Sequence, residues 1–218
     1  MLEIVERFIT LSGEAPNPGA PILLIRFTGC NLSCAYCDTL YKDEINETVS
    51  VQELEAMIRQ ETTRYPRLSV LFTGGEPLWK DRAVSLLTIA HAMPTIHFYV
   101  ETNGSCLIPD TDSENIHFVV DIKTPSSGYA DSFLTDNLPR MRAGRDCVKF
   151  VTAHDDKAWV VERVRAIHAQ YPLLPLYISP QWDTMTPAEC AAFIIDNTLP
   201  VSLSLQMHKV IWGEKRGV

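Results

Sequence analysis

Residues 21–39 read PILLIRFTGCNLSCAYCDT, an apolar run rich in branched residues that breaks at a glycine into a loop holding three cysteines. The run has the length and composition of a strand covered on both faces. Similar runs follow along the chain: LSVLF (68–72), TIHFYV (95–100), IHFVVDI (116–122), CVKFV (147–151), LPLYIS (174–179) and VSLSL (201–205). Between them, Ser50 and Glu53 make a capping box that opens a helix over about 51–63. Thr186, Pro187 and Glu189 open another over about 187–197. Segments 79–92, 131–142 and 155–170 also read as helices. The alternation predicts an α/β fold of βα units around a parallel sheet. A partial or shortened (β/α) barrel of about six to seven mostly parallel strands suits it, with a doubly wound open sheet as the alternative. A chain of 218 residues, 46% hydrophobic, is expected to form a single domain over 1–218.

A formal net charge of −8 with no Lys/Arg run argues against broad duplex or anionic-membrane binding and favours a small-molecule substrate. The stretch MLEIVERFITL is interrupted by Glu3, Glu6 and Arg7, so it lacks the apolar core of a signal peptide. Residues 83–100 lack Asp, Glu, Lys and Arg, but His91, Pro94, Thr95 and His97 make them a helix followed by a strand rather than a membrane span. A cytoplasmic, reducing location is expected, where cysteines serve metal binding or reactivity more often than disulfides. Cys106, Cys147 and Cys190 stand alone in apolar surroundings and read as buried small side chains.

The polar sequences fall just after strands: TGCNLSCAYCDT, TGGEP, ETNGS, DIKTPSSG, SPQ and QMH. Strand C-terminal ends are where such folds build their sites. Cys30, Cys34 and Cys37 have the spacing C-x3-C-x2-C, close enough for three thiolates to face one inorganic centre. A structural zinc would close with four ligands, usually in paired C-x2-C form, and no second pair exists. A [4Fe–4S] cluster held by three thiolates leaves one iron open. In Thr73-Gly74-Gly75-Glu76-Pro77 the glycines allow close backbone approach to a ligand, and Glu76 offers an acceptor for an ammonium group. Glu101-Thr102-Asn103 and Asp121-Ile122-Lys123 occupy later strand ends, where polar groups could hold a ribose or a carboxylate.

With Tyr36 before Cys37, the cysteine loop resembles the signature of the radical S-adenosylmethionine superfamily. Further stretches are similar to its 7-carboxy-7-deazaguanine synthase family: Ser12-Gly13-Glu14 ahead of Pro18-Gly19, IRFTGCNLSCAYCDT, TGGEP, VETNGS, DIKTPSSG with DNLPRMRAGRDCVKFV, and LSLQMHKVIWGEKRGV. The resemblance implies a [4Fe–4S] cluster on Cys30, Cys34 and Cys37 whose open iron binds S-adenosylmethionine. Around that cofactor it implies Tyr36, Asp38, Gly75 and Glu76, and then Asp121, Ile122 and Lys123. It implies Mg²⁺ at Thr39. It also implies a carboxylated pterin bound by Leu11, Ser12, Gly13 and Glu14 and by Arg26, Thr73 and His208.

Arg26 could grip the pterin carboxylate with its planar fork, or serve only as a strand-end salt bridge. No side chain is singled out as catalytic, the radical chemistry belonging to the cofactor. The implied reaction is ring contraction of 6-carboxy-5,6,7,8-tetrahydropterin to 7-carboxy-7-deazaguanine with loss of ammonia, a lyase step in queuosine and deazapurine biosynthesis. A one-electron donor such as flavodoxin or ferredoxin, a homodimer, and a tail folded over the pocket are further implications. The chain departs from the family's usual residues in carrying Ser12 for a glutamine and Ala15 for a glycine. A glycyl-radical-enzyme activase, which shares the cysteine spacing, and a non-catalytic zinc or iron–sulfur module are the competing readings.

Overall fold

The computed structural model describes residues 1–213 and 215–218; Glu214, in the expected tail, lies outside the described residues. Both capping boxes form. Ser50 Oγ accepts from the Glu53 amide at 3.1 Å while the Glu53 carboxylate accepts from the Ser50 amide at 2.7 Å, opening α1 (Val51–Arg64). Thr186 and Glu189 make the same exchange at 3.2 and 2.8 Å and open α4 (Pro187–Asp196). The helices α2 (Arg82–Ala92), α3 (Lys157–Gln170) and α5 (Met207–Trp212) complete the α set.

The strands are β1 (Leu2–Leu11), β2 (Pro21–Phe27), β3 (Glu47–Val49), β4 (Ser69–Gly74), β5 (Phe98–Thr102), β6 (Ile116–Asp121), β7 (Cys147–Thr152), β8 (Leu176–Pro180) and β9 (Ser202–Leu203). They form one sheet in the order β3-β1-β2-β4-β5-β6-β7-β8-β9. From β2 to β9 every pairing is parallel, while β1 runs antiparallel to both β2 and β3. The parallel strands follow chain order without reversal, so right-handed crossovers keep the helices on one face. A doubly wound sheet needs a reversal point and is thereby excluded in favour of an open, partial barrel.

The helix-covered face holds the core. Leu54 and Ile58 of α1 and Leu86 and Ile89 of α2 pack with Phe27, Phe72, Phe98 and Phe118, all at most 1% exposed. Val160 and Val164 of α3 and Cys190 and Phe193 of α4 pack with Val148, Phe150 and Ile178. Each phenylalanine so buried contributes about 1.5–3 kcal/mol of transfer free energy. Side chains alternate across a strand, so the intervening residues Arg26, Thr73, Glu101, Asp121 and Lys149 face the concave side.

Several expectations are corrected. The strands β1 and β3 lie outside the expected apolar runs: Glu3, Glu6 and Arg7 break the apolar pattern of β1, yet Arg7 pairs with Glu47 at 3.0 Å across the sheet edge. Segment 131–142 is not an α-helix. It holds a 3-10 turn at Thr135–Arg140, because Pro139 lacks a donor and buried Asn137 is captured by Ile108 N, Gly104 O and Cys106 O. The helix expected over 79–92 starts only at Arg82, after Lys80 and Asp81 turn through φ of 56° and 61°. Cys147 and Cys190 are buried as expected, whereas Cys106 is half-buried. Among the described residues, no helix is long and apolar enough to cross a membrane.

Thr186→Ala is expected to remove the α4 cap at a cost of about 1 kcal/mol. In a chain of this size that lowers the thermal midpoint by about 2–4 °C, measurable by circular dichroism.

Candidate active site

The concave face opens at the strand C-termini into a cavity of about 220 Å³ lined by Cys30, Cys34, Cys37, Arg26, Asp121 and Lys149 among others. The cysteine loop is clamped at both ends. Gly29 N donates to Lys42 O at 2.7 Å, Lys42 Nζ donates back to Leu32 O at 2.8 Å, and Ala35 N donates to Ser127 O at 3.1 Å. Burial pushes the Cys30 and Cys34 thiols up from their ordinary values. Coordination by a metal centre is what would hold them as thiolates.

The donor set fits a cluster. Three thiols from one loop line one end of the cavity, yet among the described residues no three His, Cys, Asp or Glu side chains converge on a single ion position. A cubane takes one thiolate per iron, so its ligands need not meet at a point, whereas a structural zinc needs four that do. The remaining cavity wall is polar. Asp121 accepts from Lys123 at 2.7 Å through one oxygen, while its buried Oδ1 and the buried Gln181 Oε1 have no partner among the described residues. Both residues line the cavity and suit a ligand rich in hydroxyl and amino groups. Tyr36, Asp38, Gly75 and Lys123 line the same space.

Two expected cofactor contacts are placed elsewhere. Glu76 is 0% exposed, and its carboxylate accepts from Leu78 N at 2.9 Å, Thr102 Oγ1 at 2.7 Å and Asn103 N at 2.7 Å. It braces the TGGEP turn against the end of β5, leaving the Gly74–Gly75 backbone to face the cavity. Ile122 is 2% exposed with its side chain in the core, because alternation along β6 turns it away from Asp121.

A second cavity of about 130 Å³ holds Leu11, Ser12, Gly13 and His208, and it meets the first at Glu14 and Glu101. At the junction Glu14 pairs with Lys149 and accepts from Gln206 Nε2 at 3.0 Å. Burial alone would raise the Glu14 pKa, but Lys149, Gln206 and His208 outweigh it and hold the carboxyl at about 2. Glu101 goes the other way, since burial raises it and Glu14 adds repulsion that Lys149 only partly offsets. Burial opposes the Lys149 charge, yet Glu14 and Glu101 raise its pKa. Burial also lowers His208. The junction thus carries an ionised Glu14 and a cationic Lys149, with burial pushing the Glu101 pKa up.

Thr73 Oγ1 donates to Glu101 Oε2 at 3.0 Å, and β2–β4 register sets Thr73 beside Arg26. Arg26 Nε donates to Glu6 at 2.8 Å and Nη1 to Thr39 Oγ1 at 3.2 Å, so the salt bridge forms and leaves the outer guanidinium edge for a ligand. Thr39 is 5% exposed and donates to Asp38 at 3.1 Å, which leaves one oxygen lone pair for a hard cation. Ser12 Oγ donates to Glu14 O at 3.2 Å, serving its own loop. A Cβ on Gly13 would lie 2.3 Å from His208 Nδ1 and force the imidazole to move.

Glu101 faces the cavity as its strand-end position predicts, and Lys149, Gln181 and Gln206 join the expected residues. The readable signal for Lys149 was a charge inside the apolar run CVKFV. The tail also reaches the site. Lys215, Gly217 and Val218 line the second cavity, and Arg216 lies 3.6 Å over the Tyr41 ring while pairing with Glu6 at 3.1 Å and Glu44 at 2.8 Å.

The profile of the Radical SAM superfamily matches residues 24–132. A 7-carboxy-7-deazaguanine synthase of Clostridium acetobutylicum is 32% identical, covering 99% of both chains. One of Methanospirillum hungatei is 34% identical over 96% of this chain and 85% of its own. The crystal structure of QueE from Escherichia coli superposes with a TM-score of 0.73 at 23% identity, covering 95% of this chain and 94% of that one, and agrees in fold.

Gly75→Ala would place a Cβ 1.9 Å from Gly29 O and 2.8 Å from Cys30 N. The backbone contact cannot relax by a rotamer change, so the cysteine loop must shift. We expect a folded chain by circular dichroism that retains less than half the wild-type iron after anaerobic reconstitution.

Proposed function

The chain belongs to the 7-carboxy-7-deazaguanine synthase family of the radical SAM superfamily, and from this we propose that it converts 6-carboxy-5,6,7,8-tetrahydropterin into 7-carboxy-7-deazaguanine with release of ammonia. The observation that carries the reading is the continuity of the two cavities. One end presents three thiols and the other an aminopyrimidinone-sized recess, with Glu14 and Glu101 at the joint. Bound on Cys30, Cys34 and Cys37, a [4Fe–4S] cluster with S-adenosylmethionine supplies the 5′-deoxyadenosyl radical.

The protein's own groups position and protonate. The backbone at Gly75 and the side chains of Tyr36, Asp38, Asp121 and Lys123 surround the cofactor end, and the orphaned Asp121 Oδ1 accepts from a ribose hydroxyl. Arg26 would offer its outer edge to the substrate carboxylate, and Thr39 would supply a hard oxygen to Mg²⁺. Glu14, kept ionised, accepts from the N–H groups of the pyrimidinone edge beside Leu11, Ser12 and Gly13. Burial pushes the Glu101 pKa up, and Thr73 holds its carboxyl in place. A largely neutral His208 closes the far wall. Because Glu6 takes both Arg26 and Arg216, the tail is coupled to the group that grips the substrate. We place the enzyme, as a single domain over 1–218 acting as a homodimer, in the cytoplasm with flavodoxin or ferredoxin as electron source.

Two outcomes test this. The anaerobically reconstituted chain, given the carboxypterin, S-adenosylmethionine, Mg²⁺ and a reductant with no protein partner, should form 7-carboxy-7-deazaguanine by mass spectrometry, and Cys34→Ala should form none. Turnover in Cys34→Ala would refute the ligand assignment. Removing residues 213–218 should raise KM for the carboxypterin several-fold and increase S-adenosylmethionine cleavage uncoupled from product; unchanged coupling would show that the tail does not shield the pocket.

A further inference from the structure

We propose that Asn103 raises the reduction potential of the cluster by donating its side-chain N–H to the Cys30 sulfur. The inference rests on the cluster reading above and gives a specific task to Asn103, one of the strand-end polar residues.

The orientation of the Asn103 amide is determined by its neighbours. Its Oδ1 accepts from Ser105 N at 2.9 Å and from Ser105 Oγ at 2.6 Å. A backbone N–H can only donate, so the oxygen must face Ser105 and the Nδ2 end must face the other way. There it lies 3.6 Å from Cys30 Sγ and 3.1 Å from Asn31 Oδ1. Asn31 Nδ2 donates to Ser105 Oγ at 2.7 Å, which closes a ring of three side chains. The Asn103 backbone is pinned in turn by its N–H, which donates to Glu76 Oε2 at 2.7 Å.

The three cysteines are not equivalent in this respect. Cys30 Sγ also accepts from Leu32 N at 3.4 Å, giving it two N–H donors. Cys37 Sγ instead points at the Thr39 carbonyl at 3.7 Å, which has no proton to offer a thiolate. Asn103 is 8% exposed, so its dipole is weakly screened. An N–H aimed at a ligating sulfur draws charge from it and favours the state with the extra electron. Hydrogen bonds to the sulfurs are among the levers that set such potentials. Because the donor sits at the end of β5 and not on the cysteine loop, it acts on the cluster without ligating it.

The experiment is an EPR-monitored redox titration of the anaerobically reconstituted full-length chain, without S-adenosylmethionine. Asn103→Ala and the near-isosteric Asn103→Asp should both shift the midpoint to more negative values. At the wild-type midpoint, the reduced-to-oxidised ratio should fall about tenfold, equivalent to 59 mV for one electron. Ser105→Ala should shift it in the same direction by less, since Ser105 N still holds the Asn103 oxygen. Unchanged midpoints in all three variants would overturn the proposal. If the Asn103 variants retain no iron, Ser105→Ala decides alone: a negative shift supports the proposal and none overturns it. A wild-type chain with no reducible cluster signal would sink the cluster reading itself, and the inference with it, whereas a normal wild-type signal with unmoved variants sinks only the inference.

Discussion

Three donors, from Leu78, Thr102 and Asn103, converge on the carboxylate of Glu76, and the geometry of the cavity mouth follows from that convergence. The bonds tie the turn after β4 to the end of β5. The same turn lies against the cysteine loop, with Gly75 N donating to Phe27 O at 3.1 Å and Glu76 N to Gly29 O at 2.9 Å. Three consecutive strand ends are thereby held as one unit, and only glycine at position 75 allows the approach. Burial raises the Glu76 pKa against these donors, so the brace is costly in the charged form that the donors prefer. A residue kept under that cost is better explained by the precision it imposes on neighbouring loops than by stability.

How far the sequence revealed this differs by feature, and the difference has a physical cause. Signals confined to a few consecutive residues were legible: the capping boxes at Ser50 and Thr186, the apolar strands, and the cysteine spacing with its place after a strand. Features resting on distant partners were not. Glu6 and Arg7 look like interruptions of an apolar run until Arg26 and Glu47 arrive from 20 and 40 residues away. Glu76 looks like a ligand because its partners Thr102 and Asn103 lie 26 and 27 residues downstream. The 3-10 turn at Thr135–Arg140 replaced an expected helix because Asn137 is drawn to backbone about 30 residues upstream, a pull that no local propensity encodes.

Loops meet across the open side of the partial barrel. On the side where β1 and β9 do not pair, the segment 12–20 meets the segment 204–208: Ala15 N donates to Ser204 Oγ at 3.1 Å, Met207 N to Gly13 O at 2.8 Å, and Gln206 to Glu14. The thiol end of the site is therefore built by the regular sheet, and the recess beside it by the two ends of the chain. Such a division permits the recess to change without disturbing the cysteine loop.

The charges inside the concave face follow the same logic. Glu14 and Lys149 have side chains 13% and 9% exposed, and Asp121 and Lys123 are similarly enclosed at 15% and 14%. Buried pairs of this kind add little net stability compared with apolar residues of similar size, because desolvation consumes much of the attraction. Their worth lies in orientation. A pair already desolvated and fixed in direction presents its remaining lone pairs and protons to a ligand without rearranging, which is where preorganised electrostatics act most strongly. Burial pushes the Glu101 pKa up while Lys149 helps hold Glu14 ionised, so the joint between the cavities sets two unlike carboxyls around one lysine. A joint of that kind, with fixed polar groups on either side of one lysine, suits a polar heterocycle whose edges carry both N–H groups and ring nitrogens.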